Sequence, residues 1–280
     1  MKVSFLESGY CVHPESLLFH SLNSWNRITR FPNTVVLIEH PTKGKILFDT
    51  GYSPHFFEAT RRFPEKPYRM LAPVTLKNND NTLAKLGEIG IRADEIDYII
   101  LSHFHADHVA GIHDFPKAKF IFIDEAYKHV ASLSRLQGLK SGFLKALIPE
   151  NFASRGTSIP LSQMVSPVLP LAPFDQTFDV FGDGSIIGVS LPGHVLGHWG
   201  IYVESEQGKY FFIADTCWDE EEYLEGKSLG RVANLVIHDR SSYDSTLDRM
   251  NKFHQNHPDV QIIPCHCMKS HRKAGNILPR

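Results

Sequence analysis

The chain has 280 residues, of which 42% are hydrophobic and 21% are charged, and its formal net charge is −2. These fractions are typical of globular proteins, and they exclude disordered, collagen-like and coiled-coil chains. The 29 Lys and Arg residues do not exceed the 31 Asp and Glu residues, so the charge balance predicts neither a nucleic-acid partner nor an anionic membrane surface. One count stands out, because 16 residues are His.

The cysteines and the start of the chain indicate a compartment. The sequence has four Cys and no C-x-x-C pair, so we expect reduced thiols in a cytoplasmic protein. The stretch Met1–Tyr10 contains Lys2 and Glu7, which is not the pattern of a signal peptide. No apolar stretch approaches the ~20 residues of a membrane span, so no membrane partner is expected.

Predicted strands and helices alternate along the chain. Apolar residues at helical spacing predict helices over Thr82–Ile89 and Ser245–Phe253. Strands interleaved with helices are typical of an α/β layered domain. Short apolar runs bounded by turn residues predict strands at Val35–Ile38, Ile46–Phe48, Tyr98–Leu101, Phe120–Ile123, Ile186–Val189, Ile201–Val203, Tyr210–Ala214, Leu235–Ile237 and Val260–Ile263.

Two segments fit neither pattern. Residues 61–75 mix basic, aromatic and proline residues, and residues 131–175 run from a helix-like stretch into a proline-rich loop. Long irregular segments in compact domains are often functional. We expect surface insertions that act as a lid or as a subunit contact, within one domain that spans residues 1–280. The second segment is the candidate contact of a homodimer.

The strongest chemical signal directly follows the predicted strand that ends at Leu101. Three His and one Asp lie within six residues there. Neutral imidazole nitrogens suit zinc or iron, and a carboxylate adds a hard oxygen ligand. At a strand end, His103 and His105 can turn toward one ion, while Asp107 and His108 at the start of the next helix can face a second one.

This H-x-H-x-D-H spacing resembles that of the metallo-β-lactamase superfamily, and the resemblance extends from about Val35 to His266. Four further motifs of the family occur in order, each at the end of a predicted strand, and they contain Asp49, His194, Asp215 and His266. The resemblance implies an α/β fold, the αββα sandwich, in which two mixed sheets are flanked by helices. The active site of that fold lies at the strand ends between the sheets.

The resemblance also implies two divalent metal ions per chain and seven ligands. The ligands are His103, His105 and His194 for the first ion, Asp107, His108 and His266 for the second, and Asp215 as a bridge. Zinc is the first expectation, and iron, manganese and cobalt also suit His and carboxylate ligands. Two such ions ~3.5–4 Å apart can hold a bridging hydroxide that attacks a carbonyl. Asp107 is expected to take up the proton.

Other residues near these motifs are expected to support the ligands. Asp49 is predicted to accept a hydrogen bond from a ligand imidazole, and His198 is predicted to support the loop in which it lies. Cys265 and Cys267 flank His266. We expect both thiols to pack rather than to ligate, because their side chains should point away from that of a strand-end His.

Within the superfamily, the chain is similar to the N-acyl-homoserine lactonase branch. The similarity is carried by residues 36–51 and 93–103 and by the chain length, and it implies a hydrolase of the lactonase or esterase type with a small-molecule substrate. That branch usually has a Tyr three residues after the bridging Asp. This chain has Trp218 there, whose indole N–H can donate a hydrogen bond. Tyr223 and His238 are further candidates for the substrate pocket.

Fold and metal ligands alone do not determine the reaction. A mononuclear iron sulfur dioxygenase, resembling the persulfide dioxygenases, is one alternative, and a thioesterase or other ester hydrolase is a second. A binding module that senses an acyl ligand without turnover is a third. A nuclease is not expected, because the chain has no basic excess and no spare length for an additional domain.

Overall fold

The computed structural model describes residues 1–19, 28–164, 171–230 and 233–275, in which twelve strands form two sheets. The strands are β1 (Lys2–Pro14), β2 (Ile28–His40), β3 (Gly44–Phe48), β4 (Val74–Thr75), β5 (Ile96–Ile100), β6 (Lys119–Ile123), β7 (Gly156–Ile159), β8 (Thr177–Asp179), β9 (Ile186–Ser190), β10 (Trp199–Ser205), β11 (Gly208–Ala214) and β12 (Val260–Pro264). The α-helices are α1 (Glu15–Leu18), α2 (Pro54–Ala59), α3 (Lys66–Leu71), α4 (Thr82–Glu88), α5 (Ala106–Val109), α6 (Asp124–Ser132), α7 (Arg135–Lys140), α8 (Glu221–Glu225), α9 (Arg240–Asn256) and α10 (Met268–Ala274). No helix in this part of the chain is both long and apolar enough to cross a membrane.

Both sheets are mixed. The first has the order β4-β1-β2-β3-β5-β6-β7, in which β3, β5, β6 and β7 pair in parallel beside the antiparallel β1–β2 pair. The second has the order β12-β11-β10-β9-β8, in which only the β11–β12 pair is parallel. Helix α4 contacts β1, α6 contacts β6, and α10 contacts β12. The predicted αββα sandwich of two mixed sheets is therefore confirmed.

The hydrophobic core lies between the sheets. Phe5 and Phe48 of the first sheet contact Phe212 of the second, with ring centroids 5.8 and 6.3 Å from it, and all three rings are buried. Strand β2 lies in this core, and its residues 31–38 are buried without interruption. The apolar part of this stretch is Val35–Ile38, and strands covered on both faces carry such apolar runs rather than an alternating pattern.

One tryptophan connects the sheets close to their strand ends. Trp199, the first residue of β10, is fully buried and donates its indole N–H to the Leu101 carbonyl at 2.7 Å. Gly188 on β9 makes room for it, because a Cβ atom there would lie 2.5 Å from the Trp199 ring. This contact holds the end of β10 beside the segment that follows β5.

One predicted strand is wrong. The apolar run Leu235–Ile237 predicts a strand, but a 3-10 helix occupies Ala233–Val236. A run of three apolar residues has no reliable period, so it cannot be distinguished from a connecting turn. Ala233 and Ile237 pack into a small apolar cluster beside α9, while Val236 is 47% exposed. The other eight predicted strands and both predicted helices are confirmed, with longer or shorter bounds.

The two irregular segments contain edge strands that their composition did not indicate. Strand β4 lies within residues 61–75 and pairs with β1, and β7 lies within residues 131–175 and pairs with β6. Each therefore closes one edge of the seven-stranded sheet. Residues 165–170 of the second segment lie outside the described residues. The lid and the homodimer contact remain predictions.

Candidate metal centre

Five strand ends meet at one edge of the sandwich. Strands β3 and β5 are parallel in the first sheet, and β11 and β12 are parallel in the second, so within each pair the carboxyl ends lie at the same edge. Strand β9 has the direction of β11, because both pair antiparallel with β10. The chemistry-bearing residues that follow these ends are Asp49, His103, His194, Asp215 and His266.

The backbone at two of these ends adopts the left-handed region. Asp49 has φ of 62°, and Ala214, directly before Asp215, has φ of 46°. Residues other than glycine rarely adopt this conformation, and it persists at functional sites where the surroundings hold it in place. Thr50 supplies part of that support, because its N–H and its hydroxyl donate to the His108 carbonyl at 2.9 and 2.8 Å.

The first donor set consists of His103, His105, His194 and Asp215, whose ligand-type atoms all lie within 4.8 Å of one another. His105 Nδ1 and His194 Nε2 are 3.0 Å apart. His194 Nε2 is 3.4 Å from Asp215 Oδ2. Three imidazoles and one carboxylate at a common centre are a ligand set that suits zinc or iron.

The second donor set consists of His108, Asp215, Cys265 and His266, which satisfy the same distance limit. The Nε2 atoms of His108 and His266 lie 3.1 and 3.2 Å from Asp215 Oδ1. Asp107 borders this set, because its Oδ2 atom lies 3.6 Å from His108 Nε2 and 3.4 Å from His266 Nε2. The structure thus brings the seven predicted ligands together and adds Cys265 beside them.

Asp215 belongs to both donor sets and divides its two oxygens between them. Oδ2 faces His194 of the first set, whereas Oδ1 faces His108 and His266 of the second. The carboxylate is 3% exposed, so these oxygens have little access to bulk water. A carboxylate in this position can serve two cations at once.

Unpartnered buried atoms show that metal ions fit this centre. His103 Nε2, His108 Nε2 and Asp215 Oδ1 are buried and have no well-aligned hydrogen-bond partner in the described part of the chain. Buried polar atoms in proteins are almost always partnered. A cation at each donor set would supply the missing partner, and His and carboxylate groups are the chemistry that divalent ions require.

Asp49 orients imidazoles of both donor sets. Its Oδ2 atom lies 2.7 Å from His108 Nδ1 and accepts the Ser102 hydroxyl at 2.7 Å, while its Oδ1 atom accepts the Ser102 N–H at 2.8 Å. Ser102 Oγ lies 2.9 Å from His103 Nδ1. Because Nδ1 of each ring is engaged in this way, His103 and His108 present Nε2 to the centre.

His198 lies behind Asp215 and is not a member of either donor set. Its Nε2 atom accepts the Asp215 N–H at 3.2 Å, and its Nδ1 atom lies 2.9 Å from the Leu191 carbonyl. Burial lowers the pKa of His198 to about 4, so the ring stays neutral, with Nδ1 as the donor. This contact positions the backbone that carries Asp215.

Electrostatics differ between the two sets. Burial lowers the pKa of His103 and of His194 well below the usual range, so both rings are in the neutral form that ligates metals. Burial acts in the same direction on His108 and His266, but Asp215 and the other acidic groups around it, Asp107 among them, together outweigh it and raise both pKa values. Without metal, the carboxylates around the second set therefore favour the protonated form of both rings.

Asp107 and Asp215 are the carboxylates that face these two rings. Burial opposes the ionisation of Asp107, yet His108 and His266 lower its pKa to about 2. The same two rings overcome burial at Asp215 and hold its pKa well below the usual range. A cation that enters must displace the imidazole protons, so metal binding is expected to release protons and to depend on pH.

Two of the three predicted pocket residues lie beside the first donor set. The Trp218 ring is 6.4 Å from the His194 ring, centroid to centroid, at an angle of 80°. His238 donates its backbone N–H to the His194 carbonyl at 2.9 Å, and its own ring lies 6.4 Å from that of His129. Trp218 therefore presents a side chain at the first set, whereas the hydrogen bond of His238 is made by its main chain.

Tyr223 is placed differently from the prediction. Its ring is 5% exposed and packs in an apolar cluster that includes Met250 and Phe253 of α9. The sequence suggested a pocket residue because a hydroxyl near Asp215 was needed. Helix α8 instead turns this side chain toward α9, so the structure does not bring it together with the donor sets.

Sequence reasoning missed Asn33, and its expectation that Cys265 packs rather than ligates stays untested, although the thiol lies beside the second donor set. Asn33 is fully buried in β2 and donates Nδ2 to Asp107 Oδ2 at 3.1 Å. The local signal was limited to a polar residue two positions before the apolar run Val35–Ile38, and buried polar groups need partners. The thiol of Cys265 joins the second donor set because β12 ends at Pro264, and the alternation of side chains along a strand does not continue beyond its end.

Comparison with known proteins agrees with this geometry. The family model of the metallo-beta-lactamase superfamily matches residues 28–266. The N-acyl homoserine lactonase AttM of Azorhizobium caulinodans is 25% identical over 206 residues, which cover 73% of this chain and 72% of that protein. The N-acyl homoserine lactonase AiiB of Agrobacterium fabrum is 24% identical over 238 residues, which cover 81% of this chain and 77% of that protein.

Two solved structures share the fold. One is an N-acyl homoserine lactone hydrolase with the product N-hexanoyl-L-homoserine at its catalytic metal centre (TM-score 0.71, 19% identity, 97% of this chain and 95% of that one). The other is AidC, a dizinc quorum-quenching lactonase in complex with a product (TM-score 0.64, 15% identity, 95% and 87%). The fold is that of metal-dependent hydrolases, and the chain belongs to the metallo-β-lactamase superfamily.

Proposed function

We propose that the chain is a two-ion hydrolase that opens a lactone or a related ester, with N-acyl homoserine lactones as the first substrate class. One observation carries the two-ion part: Asp215 directs Oδ2 to one donor set and Oδ1 to the other. The substrate class is supported by the similarity to AttM and AiiB, which are named N-acyl homoserine lactonases.

The first donor set would hold one ion and the second donor set with Asp107 would hold the other. Zinc is the first expectation, and iron, manganese and cobalt suit the same His and carboxylate donors. When bound, such ions supply a hydroxide nucleophile near neutral pH and polarise the substrate carbonyl. The neutral rings of His103 and His194 are ready to ligate, because burial already lowers their pKa values.

Asp107 is the proposed proton carrier. Its Oδ2 atom accepts Asn33 Nδ2 and lies at the border of the second donor set, where its side chain is 15% exposed. In lactone opening, the ring C–O bond breaks and the leaving alkoxide oxygen must gain a proton. Asp107 Oδ2 would accept the proton that the attacking hydroxide still carries and deliver it to that oxygen, so that the products are a carboxylate and an alcohol.

Trp218 is the proposed wall of the lactone pocket. Its ring stands beside His194, and its side chain is only partly buried, so the indole N–H can donate to a substrate oxygen. Tyr243 does not supply a hydroxyl instead, because that hydroxyl donates to Glu222 Oε2 at 2.8 Å. Trp218 thus takes the place of the Tyr that related lactonases usually have.

A cavity beside the centre is the proposed site of the acyl chain. It measures about 260 Å³, and both irregular segments line it, with Leu133, Phe143 and Leu144 as its apolar wall. The neighbouring Gly142 packs on the His105 ring, since a Cβ atom there would lie 2.7 Å from the ring. Gly142 thus connects the segment that carries Phe143 and Leu144 to the first donor set.

A substrate panel tests the proposal. Protein loaded with zinc or manganese is mixed with lactones, simple esters, thioesters and a β-lactam, and proton release is followed with a pH indicator. We expect lactone opening with kcat/KM of at least about 10⁴ M⁻¹s⁻¹, and loss of that activity in His103→Ala. The exposed His113→Ala is the matched control and should keep the activity.

Other outcomes identify another member of the superfamily. Hydrolysis of thioesters or simple esters without lactone opening would support a two-ion hydrolase and would contradict lactones as its substrate class. Oxygen consumption with glutathione persulfide at one iron per chain would replace the hydrolase with a mononuclear sulfur dioxygenase. Tight binding of an acyl lactone without turnover would indicate a binding module.

A further inference from the structure

The thiol of Cys265 lies among the atoms of the second donor set. It is within 4.8 Å of ligand-type atoms of His108, Asp215 and His266. The residue is 5% exposed, and it is a free cysteine in a buried position. The thiol donates to the Thr34 carbonyl at 3.5 Å, an ordinary length for a weak sulfur donor, and metal binding would replace this single contact.

The local backbone explains this placement. The Cys265 N–H donates to the Ala214 carbonyl at 2.9 Å, which ties the residue to the end of β11 directly before Asp215. The next residue is held from the other side, because His266 Nδ1 lies 2.8 Å from the Pro32 carbonyl. Two successive side chains therefore converge on the second donor set.

Buried polar atoms beside the thiol lack an aligned hydrogen-bond partner, which favours a metal ion at this position. His108 Nε2 and Asp215 Oδ1, both in the second donor set, are fully buried and 3.1 Å apart, but they are not aligned as a hydrogen bond, and neither has an aligned partner elsewhere among the described residues. A thiolate is a strong ligand for zinc and cobalt, and it discriminates against manganese and magnesium.

We propose that Cys265 is a thiolate ligand of the ion at the second donor set. This inference rests on the proposed two-ion site. Binding forms one metal–sulfur bond and breaks the S–H bond, and the proton leaves to solvent, so no oxidant or reductant is needed. The second ion is thereby selected toward zinc or cobalt, whereas the imidazole-rich first donor set accepts a wider range of metals.

The chain offers matched controls for the test. Cys267 lies two residues further on, where its sulfur accepts the Ser270 hydroxyl at 3.3 Å, and it is not a member of the second donor set. Cys217 packs in the apolar cluster with Tyr223 and Met250. Cys267→Ser and Cys217→Ser each remove a buried thiol near the centre without removing the proposed ligand.

Cobalt(II) titration of the full metal-free chain tests the inference. Thiolate-to-cobalt charge transfer gives a near-ultraviolet band that His and carboxylate ligands do not give. We expect this band to be present once two equivalents of cobalt are bound in the wild type, Cys267→Ser and Cys217→Ser, and to be absent in Cys265→Ser. Zinc binding should release one proton more from the wild type than from Cys265→Ser, which pH-indicator titration measures.

The outcomes separate this inference from the proposed function. Two bound cobalt ions without a thiolate band, or a band that persists in Cys265→Ser, would overturn the thiolate ligand and leave the two-ion hydrolase intact. Binding of a single cobalt ion would overturn the two-ion site itself. If Cys265→Ser does not fold by circular dichroism, X-ray absorption at the zinc edge of the wild type decides. A sulfur neighbour at ~2.3 Å supports the ligand, and its absence rejects it.

Discussion

The two donor sets share Asp215 but are otherwise built from different chemistry. The first adds three imidazoles to that carboxylate, whereas the second adds two imidazoles and a thiol and borders the carboxylate of Asp107. The first imidazoles face one another and burial lowers their pKa values, whereas His108 and His266 face carboxylates that raise theirs. One bridging side chain therefore joins a position ready for metal to a position that must first release protons.

Removal of the shared ligand should have the largest effect. We expect Asp215→Ala to reduce the metal content from two ions per chain to less than one. The rate of lactone opening should fall by more than ~100-fold, the upper end of what loss of an outer-shell partner costs. Elemental analysis and the proton-release assay measure both quantities. Asp248→Asn, on the exposed face of α9, is the control. Full activity with both ions retained would contradict the bridging role.

Loss of the orienting carboxylate should affect the second set more than the first. Asp49 contacts His108 directly but reaches His103 only through Ser102. We expect Asp49→Asn to lower the affinity for the second ion by about 10- to 100-fold and the affinity for the first ion by less. Asn tolerates the left-handed φ of 62° at this position, so the turn should survive. Isothermal titration with zinc measures the two affinities separately. An equal loss of affinity at both donor sets would contradict the direct contact of Asp49 with the second set alone.

Substitution of the pocket wall should alter the substrate step and leave the metals in place. Trp218→Phe keeps an aromatic ring beside His194 but removes the N–H donor. We expect kcat/KM for a lactone to fall by about 3- to 10-fold, the value of one neutral hydrogen bond, with two ions still bound. Trp218→Tyr restores a donor and should lose less. Equal rates for the wild type and Trp218→Phe would show that the indole N–H does not contact the substrate.

A stability effect should be the smallest change and should be independent of both donor sets. Glu222 accepts hydrogen bonds from the backbone N–H of Trp218 at 2.7 Å and from the hydroxyl of Tyr243 at 2.8 Å, yet burial raises the pKa of Glu222 from 4.5 to about 7. Between these two pH values the folded chain keeps a proton that the unfolded chain has released. Stability contributed by this group is therefore present below about pH 4.5 and falls as the pH rises toward 7, by at most about 1.4 kcal/mol per pH unit.

Glu222→Gln does not titrate and provides the comparison. The free energy of unfolding of the wild type, measured relative to that of Glu222→Gln by urea denaturation, should fall between pH 4.5 and 7. Glu221→Gln is the control, because it replaces a neighbouring carboxylate that is paired with Lys227 and Lys269 near the surface. The difference in free energy of unfolding between the wild type and Glu221→Gln should show no such fall, since both chains keep Glu222. A flat difference between the wild type and Glu222→Gln would contradict the raised pKa.

The parts of the centre that were predictable from the sequence are those that local patterns encode. His103, His105, Asp107 and His108 lie within six residues directly after an apolar run, so both the strand and its exit were visible. The strands were predictable for the same reason, because buried strands carry apolar runs, as β2 does over Val35–Ile38.

The parts that were not predictable depend on contacts between distant segments. Asn33 contacts Asp107 across 74 positions of sequence, and no local pattern reports that pairing. The direction of the Cys265 thiol depends on where β12 ends and on its bond to Ala214. The edge strands β4 and β7 are short and polar, so their pairing with β1 and β6 gives no signal in composition.

Zinc titration of the metal-free chain, with lactone opening followed at each step, tests the two-ion hydrolase most directly. Since Asp215 faces both donor sets, we predict little activity at one equivalent of zinc per chain. The rate should rise steeply up to two equivalents and stay constant beyond them. Full lactone-opening activity at one equivalent, or none at two equivalents bound, would contradict the proposal.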